Sequence, residues 1–270
     1  MEPNPKFLNR SHQFWALGKL TSECLGYSER KSKGQNLRKF EQNEIFNLKI
    51  NAVFDKKLGV EVCEYLNYRA LVLEEKVKPL LMDRKEAKDV FEKLIKGYKP
   101  KCHLPLNKQK GEKKHFSYLT CIVNILTEQT LNESFDDRPG KFTVVTDNRN
   151  YLVTTFSRWV DGAYPGTYNP KAIWKIKEYY GTTTFGSRVA DGVYESQLDG
   201  YEIKIAEKIA KKRILHYLLV DDIYTWWVKG KSYLCRLVDM MHMGLVDEVI
   251  FGKEVLLRWP KIVKSWKSTK

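Results

Sequence analysis

Cysteine is scarce in this sequence and is never closely spaced. The 270 residues include five cysteines, and no two of them form a C-x-x-C pair. This pattern predicts neither a disulfide framework nor a zinc ribbon, and it suits a reducing, cytoplasmic setting. A chain of this length can bury most of its apolar surface without such cross-links.

Long apolar runs are missing as well. No stretch approaches the ~20 apolar residues that a transmembrane helix needs. Residues 1–10 are polar and include two prolines, which is unlike a signal peptide. The composition, 43% hydrophobic and 13% aromatic, excludes a disordered chain. We therefore expect a soluble, intracellular, folded protein.

Acidic residues are too few to balance the basic ones. The sequence has 47 Lys and Arg against 33 Asp and Glu, a formal net charge of +14. Such a surplus indicates a polyanionic partner. Nucleic acid is the commonest, and an anionic membrane surface or a basic ribosome-associated protein are the alternatives. The candidate phosphate contacts are Lys108, Lys110, Lys113, Lys114, Lys204, Lys208, Lys211, Lys212 and Arg213.

Hydrophobic spacing is helical in the first half of the chain. Residues 11–25 carry apolar side chains at helical intervals, with Ser11 as the predicted N-cap and Gly26 as the stop. Residues 59–98 show the same periodicity. We predict a mainly helical N-terminal part over residues 1–135, which contributes a core helix (11–25) and is expected to supply DNA recognition.

Strands dominate the pattern after residue 135. Successive segments predict a hairpin, a third strand, a long helix interrupted near Gly200, a buried strand, a helix and a last short strand. Their predicted bounds are 142–145 with 151–156, 172–179, 187–212, 214–220, 233–243 and 246–251. This order predicts an α/β (α+β) core over residues 136–270, with a mixed central sheet flanked by helices.

Asp161 and two lysines carry the strongest chemical signal. Asp161 ends the predicted hairpin segment, and Lys175 and Lys177 lie two residues apart on the next strand, where alternate side chains share a face. This arrangement resembles the PD-(D/E)XK nuclease family, the fold of most type II restriction endonucleases. In that family an aspartate and an acidic residue two positions before a lysine sit on neighbouring strands. The order of the predicted elements is also similar to that of the family core.

The resemblance implies a restriction-endonuclease-like core and a Mg²⁺ cofactor. The carboxylates of such a site hold one or two Mg²⁺ ions, which prefer oxygen ligands. The metal polarises the scissile phosphate and lowers the pKa of the attacking water, while the lysine orients that water or stabilises the developing charge. The resemblance makes Asp161 a metal ligand and Lys177 the catalytic lysine.

Position 175 departs from the family pattern, because it holds lysine where the family has an acidic residue. A cation cannot ligate Mg²⁺, and Glu178 faces the other side of the strand. Three explanations are open: the chain is an inactivated variant, it is a degenerate homologue that does not cut, or another carboxylate has taken over. Glu23 in the first helix is the candidate for an auxiliary catalytic and metal-binding glutamate. Inactivation is favoured, because the surroundings of Lys175 otherwise keep the pattern.

The charges around Asp161 lead to a specific expectation. Lys175 and Lys177 on one face place two ammonium groups and one carboxylate in the predicted pocket. That net positive charge suits a DNA phosphate but hardly retains Mg²⁺. Replacing Lys175 by glutamate is therefore expected to supply the missing ligand and to create Mg²⁺-dependent cleavage.

Other polar residues of the second half have weaker signals. Gln197 and Tyr201, four apart in the long helix, resemble the QxxxY signature of RecB-type members and are candidate DNA contacts. His216 is predicted to be a core histidine, since apolar residues flank it. Asp221 and Asp222, at the end of the buried strand, are assigned to structure.

These patterns favour a Mg²⁺-dependent, sequence-specific endonuclease of the type II restriction class. It would act on double-stranded DNA as a homodimer, since two-fold symmetric proteins read palindromic sites. The alternatives are a DNA repair nuclease or exonuclease, and a non-catalytic nucleic-acid-binding protein with a degenerate nuclease domain. No membrane partner is expected.

Overall fold

A mixed four-stranded sheet with helices on both of its faces forms the centre of the computed structural model. Residues 1–31, 34–107, 115–180 and 186–268 are described. The α-helices are α1 (His12–Leu25), α2 (Gln42–Phe46), α3 (Lys56–Val72), α4 (Arg84–Gly97), α5 (Tyr118–Leu131), α6 (Ser187–Ala210), α7 (Lys231–His242) and α8 (Val255–Ser268). The strands are β1 (Ser28–Lys31), β2 (Gly34–Leu37), β3 (Val144–Thr146), β4 (Leu152–Thr155), β5 (Gly162–Tyr164), β6 (Ala172–Glu178), β7 (Leu215–Asp221) and β8 (Glu248–Phe251).

The central sheet has the strand order β5-β6-β7-β8. β5 is antiparallel to β6, whereas β6, β7 and β8 are parallel and are connected through α6 and α7. Parallel strands require cover on both faces. α6 and α7 cover one face, and α5 and α8 cover the other. The mixed α/β architecture and the sheet flanked by helices are as predicted.

Side chains of β6 alternate between the two faces of the sheet, as the strand period requires. Ile173 packs with Ile203 of α6. Trp174 points the other way and packs against Trp259 of α8, with ring centroids 5.5 Å apart. The odd-numbered positions of β6 therefore face α6, and the lysines at 175 and 177 share that face.

Helix α8 closes the aromatic side of the core, although the sequence pattern does not predict it. Trp266 stacks on Trp174 with centroids 5.6 Å apart, and the Trp259 ring meets Tyr217 edge-on at 5.6 Å. Pro260 lies inside this helix and basic residues separate its apolar ones. Both features weaken the local helical signal, and packing against the sheet overrides them.

Helix α6 is continuous, so the predicted interruption near Gly200 is wrong. A Cβ atom at Gly200 would lie 2.5 Å from the carbonyl oxygen of Leu245. Glycine at this position therefore allows α6 to approach the segment that precedes β8. Its low helix propensity is offset by this close packing.

The predicted hairpin is present as β3 and β4, which pair with each other and not with the four-stranded sheet. Asp161 does not end this hairpin. It directly precedes β5, a short strand that the sequence pattern does not show. The Trp174 indole lies over Gly162, where a Cβ atom would come within 2.1 Å of the ring. Glycine after Asp161 thus lets β5 pair with β6.

The mainly helical first half of the chain contributes to three apolar clusters. α4 and α5 pack with α8 and the central sheet. α1, whose N-cap is Ser11 as predicted, packs with α2 and α3 in a separate cluster. The boundary near residue 135 stays a prediction. No helix within the described ranges is long and apolar enough to cross a membrane.

A buried ion pair connects α3 and α1 with α7. Arg69 of α3 donates to Asp239 of α7 at 2.7 and 3.0 Å. The Tyr65 hydroxyl donates to the same carboxylate at 2.6 Å, and the Arg69 guanidinium also donates to Ser22 of α1 at 3.1 Å. The charged partners therefore satisfy each other away from water.

We expect Asp239→Ala to lower the free energy of unfolding by about 3–5 kcal/mol, because it leaves the Arg69 charge buried without its partner. Urea denaturation measures this loss. Lys88→Ala is the matched control, since it removes an exposed pair with Glu92 on α4 and should change stability by less than about 1 kcal/mol. Equal effects of the two substitutions would show that the buried pair is unimportant.

Candidate active site

A cleft of about 880 Å³ opens beside the carboxyl end of β6. Its walls come from residues 103–107, 117–120, 137–140, 159–161 and 176–179 and from the first half of α6. Asp161, Lys177 and Glu195 all line it. Two of these three residues were predicted from the sequence, and the third was not.

Asp161 is held at the edge of β6 by the strand backbone. Its own N–H donates to the carbonyl of Trp174 at 3.0 Å. The N–H of Ile176 donates to its Oδ2 at 2.7 Å. The side chain stays exposed at the cleft. These two bonds hold Asp161 against β6, the strand that carries Lys177, and one of them engages the carboxylate.

Lys177 and Glu195 form an ion pair on the cleft wall. The Lys177 Nζ lies 3.3 Å from Glu195 Oε2, and Arg158 donates to Glu195 Oε1 at 3.1 Å. Burial alone would raise the pKa of Glu195, but the charges of Lys177, Lys175 and Arg158 outweigh it and lower that pKa. Glu195 is therefore ionised at neutral pH and is held by two cations.

Lys175 does not line the cleft, because it is buried in a second ion pair. Its Nζ lies 2.5 Å from Asp199 Oδ2, with side chains 3% and 2% exposed. Burial raises the pKa of Asp199, and the Lys175 charge acts in the opposite direction. The expectation of two lysines and one carboxylate in the pocket is wrong, since each lysine is matched by a carboxylate of α6.

The two pairs follow from the repeats of strand and helix. Lys175 and Lys177 stand ~6.6 Å apart along β6, and Glu195 and Asp199, one helical turn apart, stand ~6 Å apart along α6. α6 leads from β6 back to the parallel strand β7, so it runs opposite to β6 and brings the lower-numbered acid to the higher-numbered lysine. A Lys-x-Lys strand followed by a Glu-x-x-x-Asp helix is the sequence signal that could have identified Glu195.

Glu178 points to the opposite face of β6, as predicted. Its carboxylate accepts from the Leu119 N–H and the Thr120 hydroxyl, both at 2.8 Å, at the start of α5. Burial raises its pKa to about 7. These bonds commit both carboxylate oxygens to the helix N-terminus, so Glu178 stabilises α5 at the back of the cleft.

Other predicted site residues lie outside the cleft. Glu23 is exposed on α1 and pairs with Arg236 of α7 at 2.9 Å. Gln197 and Tyr201 lie farther along α6 and are not among the lining residues. The structure therefore does not bring these three residues together with Asp161.

The basic residues named as phosphate contacts differ in their contacts and their exposure. Lys212 donates to the carbonyls of Thr146 and Asp147 at 3.0 and 3.1 Å, and Arg213 pairs with Glu207 at 2.7 Å. Lys204 donates to the Met243 carbonyl, whereas Lys208 and Lys211 are exposed on α6. The remaining four, Lys108, Lys110, Lys113 and Lys114, lie outside the described residues.

The residues assigned to structure are structural. His216 is buried, with Nδ1 2.8 Å from the Leu245 carbonyl, and burial lowers its pKa to about 4. Asp221 accepts from the Met82 N–H at 2.7 Å, and Asp222 accepts from the Thr225 N–H at 2.9 Å. These carboxylates fix loops next to β7.

The carboxylates of the cleft do not form a closed metal cage. Among the described residues, no group of three or more His, Cys, Asp or Glu side chains is placed to hold a metal ion. Mg²⁺ usually keeps several waters and is bound by one or two carboxylates together with substrate phosphates. Asp161 and Glu195 both line the cleft, and two carboxylates are within the number that such a site uses.

Comparison with known proteins finds two family models, both described as domains of unknown function. Residues 82–266, more than half of the chain, match the model of the domain of unknown function DUF7687. The chain belongs to this family. Residues 1–76 match a second model, the domain of unknown function DUF7690. No curated protein and no solved structure matches the chain. The cleft-lining residues all lie within the DUF7687 region.

The buried pair changes the expected outcome of Lys175→Glu. The substitution places a second carboxylate against Asp199, so we expect it to lower the free energy of unfolding by at least about 3–5 kcal/mol and to create no metal ligand in the cleft. Urea denaturation of the single variant and of the charge swap Lys175→Glu with Asp199→Lys measures this. The swap should recover part of the loss. A fully stable Lys175→Glu variant would contradict the pairing.

Proposed function

We propose that the protein is a Mg²⁺-dependent DNA nuclease with a restriction-endonuclease-like core. The observation that supports this proposal best is the meeting of Asp161, Lys177 and Glu195 in one cleft at the end of β6. In this proposal Glu195 of α6 takes the place of the acidic residue missing at position 175. Lys175 is then a structural residue of an intact site, and no inactivating substitution is needed to explain it.

The topology around the cleft supports the same proposal. β5 is antiparallel to β6, and α6 connects β6 to the parallel strand β7. The succession β6, α6 and β7 matches the third strand, helix and buried strand that the PD-(D/E)XK resemblance implies after the hairpin, and β5 is an additional strand. Asp161 precedes β5 and Lys177 lies on β6, so the two residues come from neighbouring strands as in that family.

Each residue of the cleft has a part in the proposed chemistry. Bound Mg²⁺ would polarise the scissile phosphate and lower the pKa of a water. Asp161, fixed by the β6 backbone, and Glu195, held ionised by Arg158, would supply its oxygen ligands. Lys177 would stabilise negative charge that develops on the phosphate. Its present pairing with Glu195 keeps the ammonium group at the cleft wall.

The net charge supports DNA as the polyanionic partner. Arg138 and Arg188 are exposed and line the cleft near Asp161. Arginine suits phosphate recognition because its guanidinium donates in a planar fork. The sequence-specific, double-stranded substrate and the restriction class remain part of the proposal.

The surroundings of one proposed metal ligand, Glu195, favour a second candidate function. Only two of the described acidic side chains, Asp161 and Glu195, are placed as ligands in our proposal, and Glu195 is already paired with cations. A non-catalytic nucleic-acid-binding protein would need the basic and polar groups of the cleft but no metal. Binding without cleavage would support this alternative.

A homodimer through α6 is the oligomeric state that we propose. One face of this helix carries five large apolar side chains that are each 40–59% exposed. They are Tyr194, Leu198, Tyr201, Ile205 and Ile209. Their spacing of three and four residues forms one seam along the helix. A second copy of the same seam would bury it.

The charges at the two ends of the seam favour an antiparallel pairing of two α6 helices. Exposed Asp191 lies before the seam, and exposed Lys208 and Lys211 lie at its end. An antiparallel arrangement brings the aspartate of each copy to the lysines of the other, whereas a parallel one brings like charges together. The antiparallel arrangement also has the two-fold symmetry of most homodimers.

Nuclease activity is tested with plasmid DNA and Mg²⁺. We expect cleavage by the parent protein, loss of detectable cleavage in Asp161→Asn and Glu195→Gln, and a loss of ~10²–10³-fold in Lys177→Met. Asp89→Asn, on the outer surface of α4, should remain active. Binding of DNA without cleavage would favour the non-catalytic alternative. The logarithm of its binding constant should then fall by about 0.9 per phosphate contact for each tenfold rise in salt concentration. No binding would exclude both functions.

The dimer is tested by light scattering after size-exclusion chromatography. The parent protein should have the mass of a dimer, and Leu198→Asp with Ile205→Asp should have that of a monomer, because the carboxylates cannot be buried in the seam. Leu257→Asp is the matched control, since Leu257 is 75% exposed on α8, and it should remain dimeric. A monomeric parent protein would refute the proposal.

A further inference from the structure

Trp159 differs from every other tryptophan of the chain. The sequence has seven tryptophans, and Trp159 is 58% exposed. The other six are at most 8% exposed and belong to the cores: Trp15, Trp174, Trp226, Trp227, Trp259 and Trp266. An indole left in water forgoes the stabilisation that burial brings, about 25 cal/mol per Å² of apolar surface. Folding alone does not explain its position.

Trp159 lies on the wall of the cleft beside the proposed metal ligand. Val160, which is 4% exposed, anchors the segment in the core between two exposed residues, Trp159 and Asp161. Both exposed residues line the cleft. The indole also contacts Phe142, itself 46% exposed, with ring centroids 6.1 Å apart and an angle of 55° between the rings. The two rings form an exposed aromatic pair at the cleft.

Arginines lie next to this aromatic pair in sequence and along the cleft, whose lining also includes five acidic residues. Arg158 precedes Trp159 in sequence and holds Glu195. Arg138 and Arg188 are exposed along the same cleft. Aromatic side chains beside cations are the combination that binds single-stranded nucleic acid, because bases stack on the rings while the cations contact the backbone. A sugar or an apolar peptide could also stack on an indole, but neither would use the arginines or the net charge of +14.

We propose that Trp159 and Phe142 form a stacking platform for an unpaired nucleobase, so that the substrate class of the cleft is single-stranded DNA or a DNA segment with an unpaired nucleotide. This inference rests on the proposed nuclease function and changes one part of it, the fully double-stranded substrate. Bases inside a duplex are stacked on both faces, and only an unpaired base offers a face to the indole. The platform lies next to Asp161, so a base stacked there places its phosphates at the cleft.

Binding without turnover tests the platform. The probes are a single-stranded DNA oligonucleotide, an abasic oligonucleotide of the same length and charge, and a duplex of the same length, all in EDTA. We expect single-stranded DNA to quench the emission of Trp159, the exposed indole. We also expect it to bind about 5- to 150-fold more tightly than the abasic strand, the range that stacking of one base supplies.

Substitutions separate stacking from phosphate binding. Trp159→Ala should lose this advantage while its affinity for the abasic strand stays unchanged, and Trp159→Tyr should recover part of it. Tyr151→Ala is the matched control, because Tyr151 is 69% exposed on the β3–β4 hairpin and does not line the cleft. This variant should bind as the parent protein does. Circular dichroism checks that all three variants are folded.

The outcomes distinguish the platform from the proposed function. Equal affinities for the base-containing and abasic strands, or tighter binding of the duplex, would overturn the platform and leave a nuclease that acts on duplex DNA. Selective binding of single strands without cleavage in Mg²⁺ would support the platform and overturn the nuclease. Failure to bind any of the three probes would overturn both.

Discussion

The matching of two lysines on β6 with two carboxylates on α6 is the interaction on which the candidate site depends. It sets the position of α6 along the sheet and thereby places Glu195 in the cleft that Asp161 also lines. The two pairs differ in burial. Lys175 and Asp199 are sealed from water, so neither can exchange partners at low cost. Lys177 and Glu195 face the cleft, where the metal ion and the phosphate of our proposal would compete for them. One pair is therefore structural, and the other is available for chemistry.

The sheet gives each carboxylate near the cleft a different environment. Asp161 is held by backbone N–H groups and remains exposed, while Glu195 is held ionised by neighbouring cations. Glu178 lies on the other face, where the N-terminus of α5 occupies both of its oxygens and burial raises its pKa to about 7. Lys177 and Glu178 are neighbours on β6, but their side chains enter different layers of the fold. Lys177 meets α6 in the cleft, and Glu178 stabilises the start of α5.

All residues that line the cleft belong to the DUF7687 region, residues 82–266. None of the lining residues belongs to residues 1–76, the DUF7690 match. The buried Arg69–Asp239 pair joins α3 of that region to α7 of the DUF7687 region. A role of the N-terminal helices in DNA recognition stays a prediction, and it would have to use a surface other than this cleft.

The sequence by itself determined the elements with strong local signals. Helix α1 with its cap at Ser11, the hairpin of β3 and β4, and strands β6 and β7 follow from periodicity and turn chemistry, which act over neighbouring residues. The same strand period indicated that Lys175 and Lys177 share a face and that Glu178 does not.

Only the tertiary structure decided which groups meet those side chains. The charge at position 175 looked like a broken metal site, because a sequence shows a lysine but not the aspartate that neutralises it. Asp199 and Glu195 reach β6 through the packing of α6 on the sheet, and that packing depends on the close approach at Gly200. Helix α8 likewise forms against local propensity at Pro260, because its tryptophans bury against the sheet. Contacts between distant segments carry this information, of which the sequence shows only the matching spacings of the two lysines on β6 and the two acids on α6.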